Sequence, residues 1–233
     1  MKFDIITIFP EIFDSYLNES IIKRAQEKKL VEIKTHNLRD FAKDKHKKVD
    51  DSPYGGGAGM VLKAEPILRA VKSLKTPAFA KAKIVLFSAK GKQFNQKMAY
   101  GWAKKYKRIV FITGRYEGVD ERARQILKAE EISIGPYILT DGDVAAMAVI
   151  SAVTRLIPGV INWESLEDES YFGNLTKKEI KVPKGDNLEY PHYTRPEIIE
   201  WQGKKYKVPK TLMSGNHKEI ESWRFLKKTR NSN

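Results

Sequence analysis

The 233-residue chain is 41% hydrophobic and 31% charged, which suits one large domain, or one domain with a small appendage, and excludes wholesale disorder. A net charge of +14, with a pI near 9.6, points to a polyanionic partner, with nucleic acid first. The absence of cysteine excludes disulfides, thiolate metal ligands and thiol nucleophiles, and no window approaches the roughly 20 apolar residues of a membrane span.

Phe3 to Phe9 reads as a first strand closed by Pro10, without a signal-peptide pattern, so a cytoplasmic protein is expected. Ile12, Phe13, Tyr16, Leu17, Ile21 and Ile22 then recur at helical spacing, and Val31 to Thr35 is a second strand, giving a βαβ unit. Residues 55–59 hold four glycines, flanked by Asp50, Asp51 and Tyr54, and form either a plain flexible loop or a backbone cradle for a ligand. A helix over Pro66 to Leu74, a loop over Thr76 to Lys83, a strand over Lys83 to Phe87 and a helix ending near Lys105 follow. Ile109 to Met147 then packs in two strand-turn-helix units: a strand to Thr113, a helix over Glu121 to Lys128 with Ala123, Ile126 and Leu127 inward, a strand over Glu131 to Ile134, and a helix over Val144 to Leu156. In that last helix Ala145, Ala146 and Ala148 allow very close packing.

This alternation predicts a largely parallel sheet covered by helices on both faces. Three consecutive strands end in turns bearing Gly91, Gly114 and Gly135, and open α/β sheets bind ligands at the carboxyl ends of their strands, so these turns are the expected pocket. Neither a dinucleotide nor a P-loop glycine fingerprint is present, and His36, His46, His192 and His217 lack metal-ligand spacing. Both halves of the chain are basic, yet residues 156–170 hold Glu164, Glu167, Asp168 and Glu169 and no base, inside a turn-rich stretch that reads as a linker. Beyond it, a lysine- and aromatic-rich tail carries one convincing helix, capped by Ser214 or Asn216, and suits an RNA-facing surface or an ordinary solvated basic face.

Six segments together resemble the bacterial tRNA (guanine-N1)-methyltransferases, the TrmD family of the SPOUT superfamily: 49–60 (VDDSPYGGGAGM), 114–122 (GRYEGVDER), 133–143 (SIGPYILTDGD), 155–159 (RLIPG), 191–196 (PHYTRP) and 212–217 (LMSGNH). The resemblance implies an α/β fold: a SPOUT-type, largely parallel sheet with a C-terminal trefoil knot, plus a small, mainly helical C-terminal domain. It divides the chain into a methyltransferase domain over 1–157, with the S-adenosylmethionine-binding knot at about 84–157, a linker over 158–174 and a tRNA-binding domain over 175–233. It also implies a homodimer with its active site at the subunit interface. Cofactor contacts carry over to Leu86, Phe87 and Ser88, to Gly114, Tyr116 and Glu117, and to Ser133, Ile134, Gly135, Tyr137, Leu139 and Gly142. Substrate contacts carry over to Asp50, Gly59, Arg115 and His192. Mg²⁺ is a further expectation of the resemblance, with no ligand set visible in the sequence. The chain departs from the family at Ala89, at Pro136, where an acid is common, and at Asp141-Gly142, where two glycines are common; Asp141 is expected to tolerate left-handed backbone there.

The implied reaction moves a methyl group to N1 of the guanine immediately 3′ of the anticodon, position 37, in tRNA. N1 carries a proton, so a general base is required, and a carboxylate of the acidic linker is the natural one. Arg155 would stabilise charge developing on guanine O6, or would simply cap the preceding helix. The family pattern sets an aspartate directly before the second serine of the linker; aligning Ser165 and Ser170 puts Glu169 in that place, while Asp168 keeps the residue type one position earlier. Register favours Glu169, because a linker that orders over substrate absorbs one methylene more easily than a reversed side-chain direction. The alternatives are a SPOUT-type enzyme acting on another RNA site and a noncatalytic tRNA-binding protein.

Overall fold

A computed structural model describes residues 1–74, 82–162, 165–166, 170–171 and 189–228. The chain divides into two compact units, Met1–Asn162 and Trp163–Asn233.

In the first unit, the pattern of apolar residues becomes a five-stranded sheet in the order β2-β1-β6-β5-β7, every pair of it parallel: β1 (Lys2–Thr7), β2 (Glu32–Asn37), β5 (Lys83–Gln93), β6 (Arg108–Ile112) and β7 (Glu130–Ser133). The central strands β1 and β6, buried on both faces, need cover on both. On one side Ile6, Val110 and Ile112 meet Ile67, Ala70 and Val71 of α3 (Ala64–Ser73) and Ala123 of α5 (Glu121–Leu127). On the other, Phe3, Phe111 and Phe87 stack at 6.0 and 5.4 Å between ring centroids, and α6 (Asp143–Thr154) packs against β1, α2 (Ser20–Glu27) and α4 (Gln96–Lys105).

The expected βαβ start is present, but its helical stretch is broken: a 3₁₀ turn (Pro10–Phe13) and the short α1 (Asp14–Leu17) end at Asn18, and α2 begins at Ser20 with φ of 48°. Ile12 and Ile21 are consequently exposed while Phe13, Leu17 and Ile22 enter the core. Ile126 is a further correction, being 64% exposed, whereas Ala123 is buried. Ala145 and Ala146 are buried within the unit and Ala148 is exposed. The loop expected at 76–83 lies mostly outside the described residues.

One buried charge cluster crosses the sheet. Asp4 of β1 accepts Arg108 Nε–H at 2.6 Å and lies 2.8 Å from His36 Nε2, and Arg108 also donates to the Leu74 carbonyl at 3.0 Å. Burial alone raises the Asp4 pKa, but the hydrogen bonds from His36 and Arg108 and the nearby positive charge outweigh it and hold the carboxyl below the usual range.

In the second unit, Tyr190 lies beneath Arg224 (4.9 Å) and Lys228 (5.7 Å), and Tyr193 meets Trp223 edge to face at 6.2 Å. Two helices, α7 (Lys210–Met213) and α8 (His217–Lys227), follow an antiparallel pair, β8 (Ile198–Trp201) and β9 (Lys204–Lys207), which the sequence reading did not name. The α8 cap is Asn216, whose side chain accepts from Glu219 N, while Ser214 Oγ accepts from Asn216 N at 3.1 Å.

Candidate functional site

The carboxyl ends of β6, β5 and β7 lie side by side and open into a cavity of about 460 Å³. Its size falls in the roughly 300–1,000 Å³ range of small-molecule sites. Every residue expected to contact the cofactor lines it except Gly135: Leu86, Phe87 and Ser88 from β5, Gly114, Tyr116 and Glu117 from the segment after β6, and Ser133, Ile134, Tyr137, Leu139 and Gly142 from the segment after β7. Gly135 lies just behind the wall. A Cβ there would overlap the Tyr137 ring, and its carbonyl and amide are both engaged by Ser133 Oγ, at 2.8 and 3.2 Å.

Of the glycines that line the cavity, Gly142 is the most closely packed. A Cβ there would meet the Gly114 amide at 2.9 Å and Thr113 Cα at 3.1 Å, and Gly142 N–H donates to Gly114 O at 2.9 Å. The segment leading into α6 is therefore clamped against the end of β6 by close backbone contact. Gly91 has a different role from the one expected of a turn glycine. β5 continues through it to Gln93, with Phe87 and Lys92 both facing Ile132 of β7, so residues 88–91 bulge outward. A Cβ on Gly91 would meet the Glu131 backbone carbon at 2.6 Å, so the glycine permits close strand contact while the bulge places Ser88, Ala89 and Lys90 on the cavity.

Asp141 does not use the left-handed backbone expected of it; the positive-φ residues nearby are Tyr116 and Gly118. Instead its carboxylate caps α6, accepting from Asp143 N at 2.9 Å and Val144 N at 3.2 Å. Next to it, fully buried Asp143 accepts the Thr7 hydroxyl at 2.8 Å and Arg115 Nη2 at 3.1 Å. Arg115 also reaches Asp141 at 3.4 Å and lies 4.3 Å over the Phe9 ring, and its Nε–H finds no acceptor among the described residues. Sequence reasoning missed Asp143, although an acid in the first turn of a hydrophobic helix was the signal for it. The charged lining of the cavity is acidic on balance, with Glu117, Glu121, Glu131 and Asp141 against Lys90 and Arg115, in a protein of net charge +14.

The glycine-rich loop reaches this site through backbone pairing. It is the turn between β3 (Asp50–Asp51) and β4 (Val61–Leu62), and Gly55, Gly56, Gly57 and Gly59 all have positive φ, which explains the residue choice. Glu117 N–H donates to Met60 O at 3.1 Å, Leu62 N–H to Gly118 O at 3.0 Å and Asp120 N–H to Leu62 O at 2.9 Å. Gly59 is thereby set against Glu117, whose side chain occupies the space a Cβ would take, and Asp50 pairs with Leu62 two residues beyond Met60.

Of the other expected site residues, Arg155 belongs to the same unit and does not line the cavity. Arg155 caps the far end of α6 from pocket-lining Ala145, about 15 Å along the helix axis at 1.5 Å per residue. His192 belongs to the second unit, where its ring packs at 4.8 Å on Tyr190 and its Nε2 lies 3.6 Å from Glu189. Asp168 and Glu169 lie outside the described residues. Among the described residues no group of three or more His, Asp or Glu is placed to hold a metal, and no helix is long and apolar enough to cross a membrane.

A sequence model of the family described as tRNA (Guanine-1)-methyltransferase TrmD matches residues 1–233. Curated relatives named tRNA (guanine-N(1)-)-methyltransferase include one from Dehalococcoides mccartyi, 48% identical over 225 residues that span 96% of this chain and 84% of the relative. One from Carboxydothermus hydrogenoformans is 49% identical over 226 residues, 96% and 81% of the two chains. One from Clostridioides difficile is 47% identical over 226 residues, 96% and 90%.

Proposed function

The chain belongs to the TrmD family of tRNA (guanine-N1)-methyltransferases, and from that premise we propose that it methylates N1 of the guanine immediately 3′ of the anticodon, position 37, in tRNA. The methyl donor of such an enzyme is S-adenosylmethionine, whose sulfonium supplies the transferable methyl group. The observation that carries the reading is the cavity at three adjacent strand ends, lined by nearly all the residues that the family resemblance assigns to the donor. The cavity suits such a ligand. Backbone at Phe87, Gly114 and Ser133 can meet an adenine and ribose, Leu86, Ile134 and Leu139 supply apolar contact, and the acidic balance of the wall favours a cationic molecule.

The residues of the chain would then divide the work. Glu169 takes the N1 proton as the general base, with Asp168 the alternative, and Arg155 holds the charge that develops on O6. Asp50, Gly59 and Arg115 face the guanine and His192 contacts tRNA from the second unit. Since Arg155 and the cavity sit at opposite ends of one helix, a homodimer in which one copy's Arg155 serves the other copy's cavity makes the site complete. The buried Ala145 and Ala146 do not argue for that dimer; exposed Ile138, Leu139, Val144 and Ala148 beside the cavity do. The knot of the resemblance fits the clamp of Gly142 on Gly114, and cytoplasmic residence fits the substrate.

The test is methyl transfer from labelled S-adenosylmethionine to a tRNA transcript with guanine 3′ of the anticodon, beside one with adenine there. Label in the first alone is expected. Label in both, or in neither, would overturn the site assignment.

A further inference from the structure

The β8–β9 hairpin is the least covered regular element among the described residues. All eight strand positions are exposed. Its turn, Gln202-Gly203, has φ of 49° and 73°, the two positive values of a type I′ loop, and Val208 N–H closes its base on Glu197 O at 3.0 Å. Register places Ile199 opposite Tyr206 and Trp201 opposite Lys204, so these four side chains share one face. Ile198, Glu200, Lys205 and Lys207 share the other. The first face is therefore aromatic and apolar with a single lysine and no acid, and Trp201 and Tyr206 are 65% and 56% exposed.

We propose that this face is a stacking surface for unpaired nucleotides of the tRNA substrate, an inference that rests on the tRNA-methyltransferase reading and adds the element of tRNA that is grasped. Two aromatic rings held by a rigid turn offer flat surfaces that any base can stack on. Lys204, Lys205, Lys207 and Lys210 outnumber Glu197 and Glu200 around them, which suits a phosphate backbone and not the lysine-poor centre of a protein interface. Stacking of this kind needs splayed bases. A paired A-form stem buries its bases and presents a major groove too narrow to read, so the occupant is single-stranded RNA.

The experiment uses the full chain. The Trp201→Ala/Tyr206→Ala variant is compared with the parent and with Trp201→Phe/Tyr206→Phe in direct binding of a tRNA transcript, with single- and double-stranded oligoribonucleotides as competitors. Loss of stacking is expected to weaken tRNA binding by roughly ten-fold or more, with the phenylalanine variant close to the parent. S-adenosylmethionine affinity and the thermal unfolding midpoint should stay unchanged, since both side chains are exposed. The single-stranded competitor should displace the parent from tRNA better than the duplex. Unchanged tRNA binding by the alanine variant, or a preference for the duplex, overturns the proposal. So does a change of oligomeric state in its place, which would make the face a contact between copies. A parent that binds tRNA through this face but transfers no methyl group would instead overturn the methyltransferase reading alone.

Discussion

The cavity in the first unit and the β8–β9 hairpin in the second both present aromatic rings beside charge, in opposite arrangements. In the cavity the charges are tied down: Asp143 is fully buried, Arg115 is held by two carboxylates, and glycines press backbone against backbone. On the hairpin nothing is buried, the lysines stand free of the core, and rigidity comes from a two-residue turn. The first arrangement suits a compact ligand that must be oriented, since fixed dipoles in a partly closed space act strongly. The second suits a long polyanion gripped by many weak contacts.

The sharpest way to break this contrast is to remove a charge from each region. Asp143→Ala leaves the Thr7 hydroxyl without its acceptor and Arg115 with only Asp141 at 3.4 Å, and is expected to cost about 3 kcal/mol in urea unfolding, with loss of S-adenosylmethionine binding. Lys205→Ala on the hairpin should fall within about 0.5 kcal/mol of the parent. Equal costs would mean that the two regions do not differ as described. Next in size is the general base. Glu169→Gln should lower methyl transfer by about 10² or more while S-adenosylmethionine still binds, and Asp168→Asn should retain most activity. A dead Asp168→Asn beside an active Glu169→Gln would show that residue type outranks register.

Salt separates the regions by a different route. Replacing Lys204, Lys205 and Lys207 with glutamine should make the dependence of log tRNA affinity on log salt shallower by about 2, and leave the salt response of S-adenosylmethionine binding as it was. An unchanged slope would remove these lysines from the RNA footprint.

What the sequence made legible follows the same division. In the parallel sheet β1 and β6 are apolar on both sides, and the starts of β1, β2, β5, β6 and β7 fall within a residue of those expected, but β5 runs six residues past the expected end at Phe87 because its bulge breaks the pattern. The cavity could be placed too, at the carboxyl ends of these strands, although of the three turn glycines only Gly114 lines it. The hairpin could not: Ile198–Trp201 and Lys204–Lys207 are exposed on both faces, so no apolar alternation records them. Nor could the buried partners. Asp4 and Arg108 are 104 residues apart, and Thr7 and Asp143 are 136 apart, so neither pair leaves a local pattern. Ile126 was assigned inward from spacing alone, but α5 is a short helix whose burial narrows to Ala123.

The Asp4 cluster gives a smaller effect. Its folded pKa is depressed, so the ionised carboxylate contributes stability above the usual carboxylate range, and that contribution is lost as pH falls through the folded value. Unfolding free energy of the parent should therefore decline in acid by up to about 1.4 kcal/mol per pH unit for this one proton, and Asp4→Asn should flatten the decline. A decline equally steep in Asp4→Asn would assign the acid sensitivity to other carboxylates.

The smallest effect concerns Asp141, where the chain departs from the glycine pair common in its family. Two consequences of losing its carboxylate oppose each other in size. The start of α6 loses a cap that accepts from Asp143 N and Val144 N, which costs about 1 kcal/mol on replacement by alanine. Arg115 loses only the longer of its two partners, 3.4 Å against 3.1 Å, and keeps Asp143, so no charge is stranded. The cap should therefore dominate. Asp141→Ala is expected to lower stability by about 1 kcal/mol and S-adenosylmethionine affinity by less than ten-fold, as read by urea unfolding and calorimetric titration. A loss near that of Asp143→Ala would mean that the two carboxylates hold Arg115 as a unit and that the cavity wall depends on both.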